Sequence, residues 1–138
     1  MLRNTLRGLI GVSFLFLGTV ISAYGQIDTG GAIRFEVPHP FVINNKNLPA
    51  GKYSITSASF PDGSTNVLEL RKLDGKQSIL FSAMEKIRSQ PSKKTELVFD
   101  QVGDTYYLTE IRTSGEDEAL VLEKTRSEKQ TLAAAGLY

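Results

Sequence analysis

No cysteine occurs anywhere in the 138 residues. Disulfide staples are therefore excluded, and stability must come from a packed core. Thiol nucleophiles, thiolate metal sites and a lipid-modified cysteine are excluded with them. Tryptophan is absent too, which removes the strongest aromatic platform for a sugar or cation. His39 is the one histidine, too few nitrogen ligands for a structural zinc site of about four. No metal ligand set, cofactor site or catalytic residue is therefore assigned. Neither sign of charge dominates: 16 Lys and Arg stand against 15 Asp and Glu, a net +1. The chain lacks the electrostatic footprint of a nucleic-acid binder and the polybasic patch of a peripheral membrane protein.

Long apolar runs are missing as well, with one exception near the start. Arg3 and Arg7 precede an almost purely apolar stretch from Leu9 to Ile21, and the segment closes on Ala23-Tyr24-Gly25. A positive start, an apolar middle and a small-x-small end define a secretory signal peptide. The run falls short of the ~20 residues of a membrane span. The expectation is a leader over residues 1–25, cleaved after Gly25, with Gln26 as the mature start and no stable membrane insertion afterwards. Subtracting 25 from 138 leaves 113 residues, enough for one domain at 26–138. Loss of Arg3 and Arg7 leaves 14 basic against 15 acidic residues, a net −1.

The remainder alternates in short apolar runs broken by turn residues, which reads as all-β. Ile33, Phe35 and Val37 share one face of a first strand, and Pro38-His39-Pro40 interrupts the ladder. Phe41 to Asn44 resumes it. Leu48-Pro49-Ala50-Gly51 reads as a proline-glycine turn with Gly51 at positive φ. Strands follow over Lys52–Ser59, Val67–Leu73 and Gln77–Ile87, with reversals at Pro61-Asp62-Gly63 and Asp74-Gly75. Thr95–Gln101 and Thr105–Arg112 form a hairpin across Val102-Gly103-Asp104, and Ala119–Leu122 is a last strand. Thr125 and Glu128 have capping-box spacing, predicting a short C-terminal helix over 126–135. That helix is too short to stand alone and is expected to dock through Leu132. The architecture expected is an antiparallel sandwich or small open barrel of six to eight short strands.

Candidate chemistry is sparse. His39 could serve a relay, but no nucleophile elbow accompanies it, and it reads as an exposed bend residue. Asp100, Asp104 and Glu110 could supply paired carboxylates. Glu116-Asp117-Glu118 lacks the spacing of a calcium loop and reads as solvated. Tyr106 and Tyr107 are adjacent, which places one in the core and one on an open face with Tyr53 or Tyr138. Arg71, Lys72, Lys76, Arg88, Lys93 and Lys94 form a basic edge.

Phe35-Glu36-Val37-Pro38-His39-Pro40-Phe41-Val42-Ile43 followed by Leu48-Pro49-Ala50-Gly51-Lys52-Tyr53-Ser54-Ile55 resembles an uncharacterised family of small exported acidobacterial-type β proteins. Leu97-Val98-Phe99, Gly103 to Leu108 and the Lys124–Glu128 cap are similar too, so the resemblance spans most of the mature chain. It implies an exported Gram-negative β protein and transfers no catalytic residue.

The functional expectation is a secreted or periplasmic, non-catalytic binding or envelope-interaction module whose partner is an envelope protein or glycan. The alternative is a small secreted carboxylate-dependent hydrolase with His39 as accessory. Intact-mass analysis of the exported protein is expected to give a chain starting at Gln26. A product retaining Leu9 to Ile21 would refute the leader.

Overall fold

The computed structural model describes residues 17–27, 31–58, 67–75 and 77–137. Among these, ten strands and one helix follow one another: β1 (Leu17–Ile27), β2 (Ile33–Val37), β3 (Phe41–Ile43), β4 (Lys46–Leu48), β5 (Gly51–Ser57), β6 (Val67–Lys72), β7 (Ser78–Ile87), β8 (Glu96–Val102), β9 (Thr105–Arg112), β10 (Glu118–Leu122) and α1 (Arg126–Ala134). The all-β reading with one short C-terminal helix holds. Pro61-Asp62-Gly63, Lys76 and Tyr138 lie outside the described residues, as do residues 1–16.

The sheet closes further than a sandwich or open barrel. Hydrogen-bonded neighbours run β10-β7-β6-β5-β2-β1-β8-β9, and β10 also pairs with β9, completing a ring of eight antiparallel strands. β3 and β4 are additional, with β3 meeting β9 in parallel at Val42 and Tyr107. Closure needs curvature, which extra residues provide by bending a strand locally. Val98 pairs with Glu110 but Phe99 with Leu108, leaving Thr109 as the extra residue of β9. Its hydroxyl donates to the Val98 carbonyl at 3.0 Å, so the bulge keeps its polar group satisfied. A second shift, between Ile21 and Ala23, makes Ser22 the extra residue of β1.

β1 is the element not foreseen. Leu17 to Ile21 were read as the end of the apolar leader run and Ala23-Tyr24-Gly25 as its cleavage pattern. In the structure they pair with β8 from Leu17↔Val102 to Tyr24↔Glu96, and Gly25, Gln26 and Ile27 pair with β2.

The interior follows the expected period-two pattern. Phe35 and Val37 are buried while Arg34 and Glu36 are exposed. Tyr53, Phe81, Phe99, Leu70 and Leu97 are each about 2 % exposed or less and form one core with them. Aromatic rings meet edge to face within it: Phe41 lies 5.2 Å from Tyr53 and 5.8 Å from Phe99. Such contacts add ~0.5–1.5 kcal/mol each beyond area burial.

Leu48-Pro49-Ala50-Gly51-Lys52-Tyr53 acquires a physical meaning here. Tyr53 is fully buried, and its hydroxyl donates to the Pro49 carbonyl at 2.5 Å, closing the corner on itself. Gly51 has φ 156°, a positive value outside the usual range of side-chain-bearing residues, but it starts β5 and is not a left-handed turn residue. The true left-handed turn precedes it. Asn44 and Asn45, at φ 51° and 60°, form a two-residue hairpin between β3 and β4. Asparagine tolerates that conformation, which makes Asn-Asn a hairpin signal in its own right.

The tail helix is secured at both ends. Thr125 Oγ1 accepts from the Glu128 amide at 3.2 Å, and the Glu128 carboxylate accepts from the Thr125 amide, completing the capping box. The same carboxylate accepts from the Asn45 amide, and Thr125 Oγ1 donates to Asn45 Oδ1 at 2.9 Å. At the other end Gly136 (φ 76°) and Leu137 donate back to the Ala133 and Leu132 carbonyls, a Schellman motif. Leu132 is wholly buried. The helix therefore docks on its own domain, anchored to the β3–β4 turn. Leu132→Ala is expected to cost about 2–5 kcal/mol by denaturant unfolding. Truncation after Lys124 should likewise lower the melting temperature, and an unchanged value would contradict the docking.

Candidate functional site

One end of the barrel opens into a cavity of about 240 Å³. Its floor is apolar, formed by Leu68 of β6, Ala83 of β7, Ile111 of β9 and Leu120 of β10. Three of these four belong to the buried core, so the cavity is the mouth of the barrel interior. Its rim is acidic: Glu85 of β7, Glu116 of the loop before β10 and Glu118 of β10. Cross-strand pairing sets this rim, with Glu85 opposite Leu120 and Glu118 opposite Ile87. Ser57 and Thr113 add hydroxyls. An apolar floor with a few polar groups at its edge is the usual build of a small-ligand site, and an eight-stranded barrel has room for one small ligand.

The acidic run expected to be solvated is exposed at all three residues. Glu116 and Glu118 line the mouth, whereas the Asp117 backbone carbonyl accepts from the Arg88 amide at 2.7 Å. Sequence reasoning missed Glu85, which the alternation of β7 brings to the same edge. Among the described residues no three His, Asp or Glu side chains gather in a way that could hold a metal ion.

His39 is neither exposed nor idle. Its ring stacks on Tyr106 at 3.6 Å with a 16° interplanar angle and meets the Phe99 ring edge-on at 5.0 Å. Nδ1 lies 3.1 Å from the Pro40 carbonyl and Nε2 lies 2.6 Å from Ser22 Oγ. A carbonyl can only accept, so Nδ1–H donates to Pro40; in the neutral ring the Ser22 hydroxyl then donates to Nε2, and in the charged ring Nε2–H donates to Ser22. This Ser-His contact was invisible in the sequence because Ser22 was assigned to the leader. Its imidazole is oriented by a neutral carbonyl, not by the carboxylate of a triad.

The carboxylate candidates disperse. Asp104 sits in the exposed β8–β9 turn. Glu110 accepts from Arg112 Nε at 2.9 Å, and Arg112 also reaches Glu96 at 3.2 Å. Asp100 is buried and accepts from the Thr19 hydroxyl at 3.1 Å. Burial pushes its carboxyl above the ordinary aspartate value and Glu110 adds to this, while the Thr19 hydrogen bond and the Lys124 charge act the other way. Tyr106 and Tyr107 are both half-buried, and Tyr53 belongs to the core. The expected basic edge separates into two groups. Arg71 pairs with Glu69 and Lys72 with Asp74 on β6 and its turn, while Arg88, Lys93 and Lys94 border Tyr24. Lys94 Nζ lies 5.0 Å from the centre of the Tyr24 ring.

Comparison of the chain with models of known protein families, with curated proteins and with solved structures finds no match.

A raised carboxyl pKa means that the fold prefers the neutral form. Asp100 therefore stabilises fully below its unfolded value, near 3.8, and loses that contribution as pH rises through the higher folded value. Asp100→Asn, which keeps an acceptor for Thr19 and removes the charge, is expected to raise the melting temperature of the full chain at pH 7. The gain should vanish below about pH 3.5. An equal gain at both pH values would show that burial of the charge is not the cause.

Proposed function

We propose that the protein is a secreted or periplasmic, non-catalytic binding module that engages an envelope protein or glycan through the barrel mouth. The observation that carries this reading is the cavity itself, an apolar floor under three carboxylates, Glu85, Glu116 and Glu118. Carboxylates at such an edge accept hydrogen bonds from sugar hydroxyls or from a basic side chain, while the floor takes an apolar face. The leader-like residues 1–25 and the resemblance to small exported β proteins support the compartment. Near-neutral charge supports a partner other than nucleic acid.

The competing reading, a carboxylate-dependent hydrolase with His39 as accessory, draws on the raised pKa and burial of Asp100. It is weakened by the engagement of Glu110 with Arg112 and by the separate position of Asp104.

The test is capture from envelope extract, read by mass spectrometry, beside a glycan array. Glu85→Gln combined with Glu118→Gln is expected to weaken capture at least tenfold with an unchanged far-UV spectrum. Equal capture by that variant would remove the mouth from the reading. Turnover of any captured glycan that is lost in His39→Ala would replace it with the hydrolase.

A further inference from the structure

The barrel mouth joins an apolar cavity to charge of one sign, and the pleat of the strands explains the separation. Glu85, Leu120 and Ile111 are direct cross-strand partners and share the face that lines the mouth. One residue along, Lys86, Ala119 and Arg112 are likewise partners, so they share the opposite face. Arg112 is held there by Glu96 and Glu110. Arg88 donates to the Ser92 hydroxyl and lines a separate surface hollow with Lys93 and Lys94. Lys86, Arg88 and Arg112 thus lie off the mouth, although they are close to its residues in sequence. Among the described residues no cation lines the mouth, and no ion pair engages Glu85, Glu116 or Glu118.

We propose that the mouth binds the side chain of a lysine presented by a partner protein, its alkyl stem on the floor and its ammonium among the three carboxylates. The inference rests on the barrel-mouth reading and selects the protein over the glycan as partner.

Size and floor chemistry make that choice. A volume of about 240 Å³ falls below the ~300–1,000 Å³ of pockets that enclose drug-sized ligands, so the cavity suits one extended side chain and not a sugar chain. Leu68, Ala83, Ile111 and Leu120 offer no hydrogen-bonding side chain at the floor. A sugar hydroxyl placed there would lose its water without a replacement. A lysine stem lays its methylenes on such a floor while its head stays at the wet rim.

The rim favours an ammonium over a guanidinium. Its carboxylates come from three chain positions, one on β7, one on the loop before β10 and one on β10. An ammonium has three divergent donors, whereas the planar guanidinium fork matches one carboxylate at a time. A partner protein fits better than a free amine because Ile87, opposite Glu118 in the ladder, is 76 % exposed. The surface around an inserted lysine would cover Ile87, and a free amine would leave it bare.

The experiment titrates the exported protein with n-pentylammonium, n-pentanol and methylammonium while backbone amide shifts are followed. Pentylammonium is expected to move Ala83, Glu85, Glu118 and Leu120, and to bind at least tenfold more tightly than either the neutral stem or the bare charge. Glu85→Gln combined with Glu118→Gln should weaken it at least tenfold. In the second arm, acetylating the lysines of the envelope extract should lower capture of the partner at least tenfold, and pentylammonium should compete with what is captured. Pentanol binding as tightly as pentylammonium, or shifts away from the mouth, overturns the inference. That comparison needs no variant, so it holds even if the double substitution misfolds. Capture that survives acetylation overturns it as well, in favour of arginine or a glycan. Pentylammonium that binds the mouth but competes with no captured protein overturns it in favour of a free amine. If pentanol matches pentylammonium while the double variant still loses its captured partner, the lysine falls and the barrel-mouth reading stands. If the double variant captures its partner unchanged, the barrel-mouth reading falls and the lysine partner falls with it.

Discussion

The architecture depends on one constraint: a β-sheet has no satisfied edge unless it closes. This chain closes its sheet in two places of different character. At one, β9 and β10 belong to the same continuous domain and pair as near neighbours in sequence. At the other, closure passes through β1, which pairs with β8 and then with β2. The mouth between these joints is lined by β5, β6, β7, β9, β10 and the loop before β10, with no residue from β1.

Within that arc the Leu48–Tyr53 corner holds the short elements in place. The Tyr53 hydroxyl ties back to Pro49, and its ring packs on Phe41, which in turn meets Phe99. A buried tyrosine needs a partner for its hydroxyl, and a carbonyl four residues upstream provides it without any distant element. Glycine at 51 and proline at 49 follow from the same local geometry. The β3–β4 hairpin, fixed by Asn44 and Asn45, then becomes the platform for α1. Glu128, a buried carboxylate, is satisfied by the amides of Thr125 and Asn45 together. Local capping and tertiary docking thus share one side chain, and this explains how nine residues of helix remain ordered.

The strands with clean alternation and obvious turns were legible in the sequence. β2, β9 and the hairpin at Asp74-Gly75 lie where period two and turn chemistry place them, and the helix cap at Thr125 is a four-residue pattern. The hairpin at Asn44-Asn45 was hidden, because neither glycine nor proline marks it. Ring closure was hidden for a deeper reason. It depends on which distant strands meet, and on single inserted residues such as Thr109 and Ser22 that leave no compositional trace. The acidic mouth was half legible: Glu116 and Glu118 stand out as a run, but Glu85 reaches them only through the β7–β10 register. His39 sits in the bend its flanking prolines point to, but half-buried, with its ring stacked on Tyr106.

The mouth is walled by β5, β6, β7, β10 and β9, and β2, β1 and β8 complete the ring around it. β2 and β8 each pair with one wall of the mouth, β2 with β5 and β8 with β9. β1 joins them in two consecutive stretches, Leu17–Tyr24 on β8 and Gly25–Ile27 on β2. Curvature in a closed sheet is shared among all its strands, because tilt and stagger are linked around the ring. The pairing of β1 and the shape of the mouth are therefore properties of a single ladder.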